Sequence, residues 1–251
     1  MIKTSIASLS ILSVMLLLSA CKDQCFHNGH EFVDLGLSVK WATCNIGAEK
    51  PEDYGDYFAW GETETYYEPS DAETGNGFRW KEGKGWRYEW KSYFDIETIT
   101  PTDYEDMVTF KKYKTLDKLL IDPEDDAAHV NWGGDWRMPT KAELDELTNS
   151  QNCSWTWTTV NNVKGYKVTS RKPGYEGNYI FLPAAGLYTL EADYLLNGGF
   201  EGFYWSSSIY DKLSDKSTSN AYSIYFKNVA PRISVTGQAR CFGCSIRPVC
   251  L

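Results

Sequence analysis

The chain is poor in histidine, in positive charge and in long apolar runs, and each shortage closes off a class of function. It has three histidines, His27, His30 and His129. None forms a metal-ligand spacing with the cysteines, so no metal and no cofactor is expected. Lys and Arg number 25 against 34 Asp and Glu, a net charge of −9. That balance opposes nucleic acid, whose binding leans on phosphate neutralisation. It also favours solubility and repulsion from anionic membrane surfaces. Only Ile6 to Leu18 is a sustained apolar run, and its length suits a signal peptide better than a mature membrane span. There is no internal repeat and no low-complexity linker, which argues for one domain over residues 31–251.

What surrounds that run reads as an address. Lys3 supplies a positive start, and Leu18-Ser-Ala-Cys21 closes the segment. The string resembles the bacterial lipobox, in which small residues precede a cysteine that becomes the acylated first residue. Met1 to Ala20 are then removed and Cys21 carries lipid, with two or more acyl chains for stable anchoring. Losing twenty of 251 residues leaves 231, enough for a sizeable core. Losing Lys3 takes the net charge from −9 to −10. Lys22-Asp23 resembles short signals that send lipoproteins to the outer face of the outer membrane. The expected location is therefore the outer membrane, facing the exterior, with contact to the membrane through the lipid alone.

Six cysteines remain: Cys25, Cys44, Cys153, Cys241, Cys244 and Cys250. An even number in an exported chain points to disulfides, though spacing alone does not choose the pairs. Aromatics make up 15% of the chain, including 10 Trp and 17 Tyr. Most suit a core, and a minority at the surface would form a ligand-ready face.

Residues 21–30 read as a polar tether. From Glu31 to Asn45 the pattern predicts two short strands about a Gly36 turn. Residues 50–115 are irregular and aromatic, with a hairpin over Phe78 to Trp90 tipped by Gly83 and Gly85. The Arg, Lys and Trp interleaved there are a nucleic-acid pattern, which the acidic balance and exported address override. Asp122-Pro-Glu-Asp125 predicts a helix start with Asp122 as cap, ahead of Ala127, Ala128 and Val130. Thr140-Lys-Ala-Glu143 is a capping box, with Leu144 and Leu147 as the apolar stripe. Strands are predicted at Tyr166–Thr169, Tyr179–Leu182, Phe203–Ser207, Ala221–Phe226, Ile233–Val235 and Ser245–Val249. Few helices early and many strands late make the fold class α+β.

Four blocks stand in order. The first joins Val33-Asp-Leu-Gly36, Trp41-Ala-Thr-Cys-Asn-Ile-Gly-Ala48 and Tyr54-Gly-Asp-Tyr-Phe-Ala-Trp-Gly-Glu62. The second joins Asp126-Ala-Ala128, Asn131-Trp-Gly-Gly-Asp-Trp-Arg-Met-Pro-Thr140 and Cys153-Ser-Trp-Thr-Trp157. The third is Ile180-Phe-Leu-Pro-Ala-Ala-Gly186. The fourth joins Tyr204-Trp-Ser-Ser-Ser208, Ala221-Tyr-Ser-Ile-Tyr-Phe226 and Ser245-Ile-Arg-Pro-Val249. Across residues 31–249 the chain resembles the Fibrobacter succinogenes major paralogous domain family. The resemblance implies a C-type-lectin-like fold: two helices, a small antiparallel sheet joining the termini, and a long irregular loop region. Fold alone does not choose among the lectins, formylglycine-generating enzymes and variable binding proteins that share it.

Calcium lectins hold Ca²⁺ through oxygen-rich loops. Here Glu68-Pro69-Ser70 is a two-residue echo, Asn131-Trp132 lacks the following acid, and helix-start chemistry explains Asp122 to Asp126. Cys241-Phe-Gly-Cys244 tempts a formylglycine-type or thioredoxin-like reading, but it sits in a strand-rich tail away from a helix N-terminus. Ser206 to Ser208 has no nearby histidine. No enzyme is expected. The favoured function is a non-enzymatic binding module or adhesin for a glycan or a protein on another cell. Alternatives are a structural fimbrial or cell-envelope component, and then a formylglycine-generating-like enzyme.

In the resembled family the tail is variable, so ligand contact is expected at Tyr210, Tyr222, Arg232, Ser234, Thr236, Gln238, Arg240 and Phe242. Strand alternation would turn Ile233 and Val235 inward, with Arg232, Ser234, Thr236 and Gln238 outward. Trp136, beside a helix cap, is expected to be scaffold. The resembled fold sets its first and last strands side by side, which implies a Cys25–Cys250 disulfide. Cys44 and Cys153 lie in family-type blocks and are paired with each other. Cys241 and Cys244 either close a small ring or stay reduced.

Overall fold

The computed structural model describes residues 25–65, 112–189, 195–213 and 218–251, with the backbone of 79–80, 86–87, 94–95 and 109–110. The signal segment, Cys21 and Glu68-Pro69-Ser70 lie outside the described residues.

Strand β1 (Phe26–His27) folds back on β2 (His30–Val33) around Asn28 and Gly29, both at positive φ. Asn-Gly suits such a turn because both central residues need left-handed backbone. The expected tether thus gives its last residues to a sheet. Gly36, at φ 68°, turns the chain into β3 (Lys40–Ala42). The final strand β14 (Val249–Cys250) pairs with β3, and the antiparallel order is β1-β2-β3-β14. Both ends of the described chain therefore share one sheet.

Between them, β4 (Arg79–Trp80) pairs with β5 (Trp86–Arg87), where the Phe78–Trp90 hairpin was expected. Its glycine tip lies outside the described residues. A second ladder joins β6 (Phe94–Asp95) to β7 (Thr109–Phe110). The first helix signal needs correcting. Pro123–Asp125 forms one 3₁₀ turn, and α1 (Ala127–Trp132) is capped by Asp126, whose side chain accepts from Ala128 N and His129 N. Asp122 makes no cap bond, because extended backbone at Asp126 breaks the helix and restarts it. The second helix, α2 (Lys141–Thr148), carries the expected capping box, with Leu144 and Leu147 buried.

Strands β8 (Cys153–Val160), β9 (Val163–Ser170) and β10 (Tyr179–Pro183) form one antiparallel sheet in the order β10-β9-β8. Asn161 and Asn162, both at positive φ, make the two-residue turn between β8 and β9. A third sheet joins β11 (Glu201–Ile209), β12 (Asn220–Lys227) and β13 (Arg232–Ala239). Among the described residues the architecture is α+β: two α-helices against three antiparallel sheets of three or four strands, with the two two-stranded ladders besides. Strand β8 was not among the predicted strands. The predicted strand Ser245–Val249 shrinks to Val249–Cys250, because Arg247 turns inward and Pro248 lacks an N–H.

Arg247 is fully buried and ties this arrangement together. Its Nε donates to Asn45 Oδ1 (2.9 Å), one terminal nitrogen to the carbonyls of Ala42 (3.1 Å) and Thr43 (2.7 Å), and the other to Phe181 O (3.0 Å). One fork thus joins the terminal sheet to β10. Two core clusters flank it. In the first, Trp60 Nε1 donates to Ser206 O and Trp205 Nε1 donates to Phe58 O, both at 2.7 Å. The second packs Leu144 and Leu147 of α2 against Val168, Ile180, Ile224 and Phe226.

Trp136 sits with Ala42 and Cys250 in a small third cluster, fully buried. Its Nε1 donates to His27 O at 2.8 Å. Trp136→Ala should therefore cost about 3–5 kcal/mol of unfolding free energy. Urea denaturation followed by circular dichroism measures this, and a midpoint close to wild type would return Trp136 to the surface.

Candidate functional site

The tail does not form the single exposed face expected of it. Register decides this. Tyr222 lies opposite Gly237, whereas Ser223 and Tyr225 lie opposite Thr236 and Ser234. Tyr222 and Tyr210 thus share one face, with Tyr210 packed over Gly237 and its ring 4.8 Å from that of Tyr222. Ser234, Thr236 and Gln238 occupy the opposite face, half-buried. Ile233 and Val235 pack against the second core, as strand alternation predicts.

Two of the expected ligand residues are core residues. Tyr222 is buried and its hydroxyl donates to Asp211 Oδ1 at 2.7 Å. Arg240 is fully buried and stacked 4.6 Å over Trp60. Its guanidinium donates to the carbonyls of Tyr113 (3.1 Å), Thr218 (3.0 Å) and Lys112 (3.3 Å). Such an arginine holds loops and has no donor face turned to solvent. Phe242 packs partly against the first core. Arg232 alone is exposed, with its guanidinium 5.8 Å over the Tyr225 ring.

The cysteines are also placed differently. No disulfide joins any two of the described cysteines. Cys25 O accepts from Phe32 N, so Cys25 prolongs β1, and β2 and β3 stand between it and Cys250. Three inter-strand steps span about 14 Å, well past the roughly 4.4–6.8 Å between Cα atoms that a disulfide needs. The last strand pairs with β3 rather than with the first strand, which is why the expected Cys25–Cys250 bridge is not made. Cys44 and Cys153 lie in different surroundings, the first beside Thr43 and Arg247, the second buried near Glu146 and Lys172.

Cys241 and Cys244 do approach one another, buried in the first core. Burial pushes the Cys241 thiol up to about 12 and Cys153 up to about 11. Burial, then the neighbouring Cys241, lifts Cys244 well above its ordinary range. Thiols held neutral are poor nucleophiles. Ser206, Ser207 and Ser208 are taken up structurally: their hydroxyls bond Tyr222 O, Pro139 O and Lys141 N.

The acid-rich helix start also has internal partners. The carboxylates of Asp122, Glu124 and Asp125 lie within 4.8 Å of one another. Lys112 donates to both oxygens of Asp125 (3.1 and 2.9 Å), Tyr113 to Asp125 at 2.6 Å, and Lys118 pairs with Asp122. These cations and the hydroxyl already supply what a metal would. Asn131 spends its amide on Ala127 O and Thr63 O, at 2.8 and 3.0 Å.

A cleft of about 340 Å³ offers a better candidate. Glu31 and Val33 of β2, Thr43, Pro51 and Glu52 form one wall, and Val160 with residues 177–181 the other. Glu52 is anchored by the hairpin turn: Asn161 Nδ2 donates to its Oε1 at 2.6 Å. That bond holds the carboxyl below the usual glutamate range, so Glu52 is a fixed anion at neutral pH. Thr43 N and Oγ1 both donate to Glu31 O, and Asn178 Nδ2 donates to Asp34 O at 2.8 Å. Tyr179 stands at the mouth, 48% exposed, with Lys167 Nζ 3.9 Å from its ring centre. An ionised carboxylate, hydroxyls and an open ring can bind hydroxyl or amine donors and stack on a flat face. The β10 strand was predicted, but the cleft was not, since its walls lie far apart in sequence. The Asn161-Asn162 pair was its one local signal.

No family model, curated protein or solved structure matches this chain.

The thiols give a pH test. Their folded values, about 11 for Cys153 and about 12 for Cys241, lie above the ordinary 9.0. Stability associated with the neutral thiols is then complete below pH 9 and lost as pH rises through the folded values. At pH 8 both should resist iodoacetamide in the native protein and react once it is unfolded in urea. Rapid native labelling of Cys241 at pH 8 would revive the reactive-cysteine reading.

Proposed function

We propose that the chain is a non-enzymatic binding module, carried on the outer membrane by lipid on Cys21 and facing the exterior. Its ligand is a glycan or protein on another cell. The observation that carries this reading is the cleft, whose lining includes the half-exposed Tyr179 together with Glu31 and Glu52. Ligand pockets of this kind combine an apolar floor with a few fixed polar groups. Val33, Ile180 and Phe181 are apolar members of the lining, and Asn161 fixes Glu52.

The C-type-lectin-like fold belongs to the same proposal. Two helices, a terminal sheet in which β14 lies beside β3, and the four ordered sequence blocks support it. The lipid anchor rests on the lipobox-like Leu18 to Cys21. Raised, buried thiols at Cys241 and Cys244 weigh against the formylglycine-type alternative.

Screening the purified protein against glycan and protein arrays should give a ligand whose Kd rises roughly tenfold on Tyr179→Ala, the scale of one lost ring contact. Thermal stability should be unchanged, because Tyr179 stands half in solvent. Binding that survives Tyr179→Ala and Glu52→Gln but is lost on Arg232→Ala would move the site back to the tail.

The anchor has its own test. Metabolic labelling with an alkyne fatty acid should mark the wild-type chain, and Cys21→Ala should abolish both label and membrane retention. Label retained on the variant would refute lipid attachment at that thiol.

A further inference from the structure

Among the described residues, no strand pairs with the outer edge of β8, and the pairing of its neighbours fixes which of its backbone groups face outward. A two-residue turn makes its flanking residues, Val160 and Val163, a hydrogen-bonded pair. Alternation then makes Thr158↔Gly165, Thr156↔Lys167 and Ser154↔Thr169 hydrogen-bonded pairs as well. Two bonds agree with this phase: Ser170 N donates to Asn178 O and Lys164 O accepts from Ala184 N, so both residues point away from β8. The N–H and C=O groups of Trp155, Trp157 and Thr159 therefore point out of the sheet. They have no backbone partner among the described residues.

The opposite edge of the same sheet is closed. Phe181 O accepts from Arg247 and Pro183 O accepts from the Tyr204 hydroxyl. Proteins guard exposed edges with charge, proline or bulges. Strand β8 reads Cys-Ser-Trp-Thr-Trp-Thr-Thr-Val over eight residues, with none of those devices. The other long edge, β13, carries Arg232 and Gly237.

We propose that β8 pairs antiparallel with β8 of a second copy of this chain, about a two-fold axis at Trp157. This register is self-complementary, as a two-fold interface requires. Trp157 meets Trp157, and Trp155 meets Thr159, so all three outward N–H groups and all three outward carbonyls of each copy are paired. The intervening pair, Thr156 opposite Thr158, is the close, non-hydrogen-bonded kind, where threonine pairs are favourable. A shift by one residue would instead bring together backbone groups already used by β9. With no charge on the strand, the two copies meet without like-charge repulsion there. Two three-stranded sheets become one of six strands. The pairing uses residues 155–159, whereas β8 reaches the cleft only at its last residue, Val160.

Sedimentation velocity of the purified full chain, over a concentration series in a density-matched detergent, tests this. Wild type should show a reversible monomer–dimer equilibrium. Thr159→Pro removes one outward N–H in each copy without touching the β8–β9 ladder, since proline is tolerated at a strand edge. It should raise the dimer Kd about tenfold or more, the effect of losing two hydrogen bonds. Thr156→Lys, at an exposed position, serves if the proline variant misfolds. It sets two lysines near one another across the axis, so its dimer should weaken at low salt and recover as salt rises. A wild-type chain that stays monomeric at every concentration would overturn the proposal. So would a dimer unaffected by either folded variant.

Discussion

One buried guanidinium organises the molecule. Arg247 lies where no solvent reaches it, and no carboxylate accompanies it among its hydrogen-bond partners. Its charge is met by three backbone carbonyls and the side-chain oxygen of Asn45. Burial lowers its pKa, yet arginine starts so high that it stays charged. A buried charge costs several kcal/mol unless every donor is satisfied, so the positions of Ala42, Thr43, Asn45 and Phe181 are fixed together. From that follow the pairing of β14 with β3, the closed β10 edge, and the cleft that Thr43 and Phe181 both line.

Arg240 repeats the device on the other side of the core. It lies against Trp60 and Tyr113 and donates to carbonyls from two separate loops. Arg240 precedes and Arg247 lies within the Cys241–Cys250 segment, which runs through the interior with little regular structure of its own. A segment without strand ladders has to satisfy its neighbours' backbone groups by side chains. Here the sequence spends arginines on that task. The same crowding keeps the Cys241 and Cys244 thiols neutral and leaves no room for a ligand face at Arg240.

The two proposed sites lie where polar groups remain open. The cleft gathers fixed oxygens and one exposed ring at the junction of the terminal sheet and β10. The β8 edge offers backbone groups rather than side chains. The first suits a small or branched polar ligand and the second suits a strand.

Local chemistry was legible in the sequence. Thr140 and Glu143 specified a capping box, and alternation at Ile233 and Val235 pointed them inward, whereas the Asn28-Gly29 turn falls in the stretch that reads as tether. Each is settled within a few residues, by backbone preferences or side-chain period. The resemblance of Leu18 to Cys21 to a lipobox likewise rests on sequence alone. What the sequence could not decide was which strand neighbours which. Cys25 and Cys250 are separated because β14 chose β3, and Tyr222 and Ser234 part company because of a one-residue phase in the β12–β13 register. Arg240 is expected at a ligand face and Arg247 reads only as part of a strand; burial and carbonyl partners distant along the chain make both core. Burial and register are properties of whole sheets, set by long-range packing, and only the tertiary structure decides them.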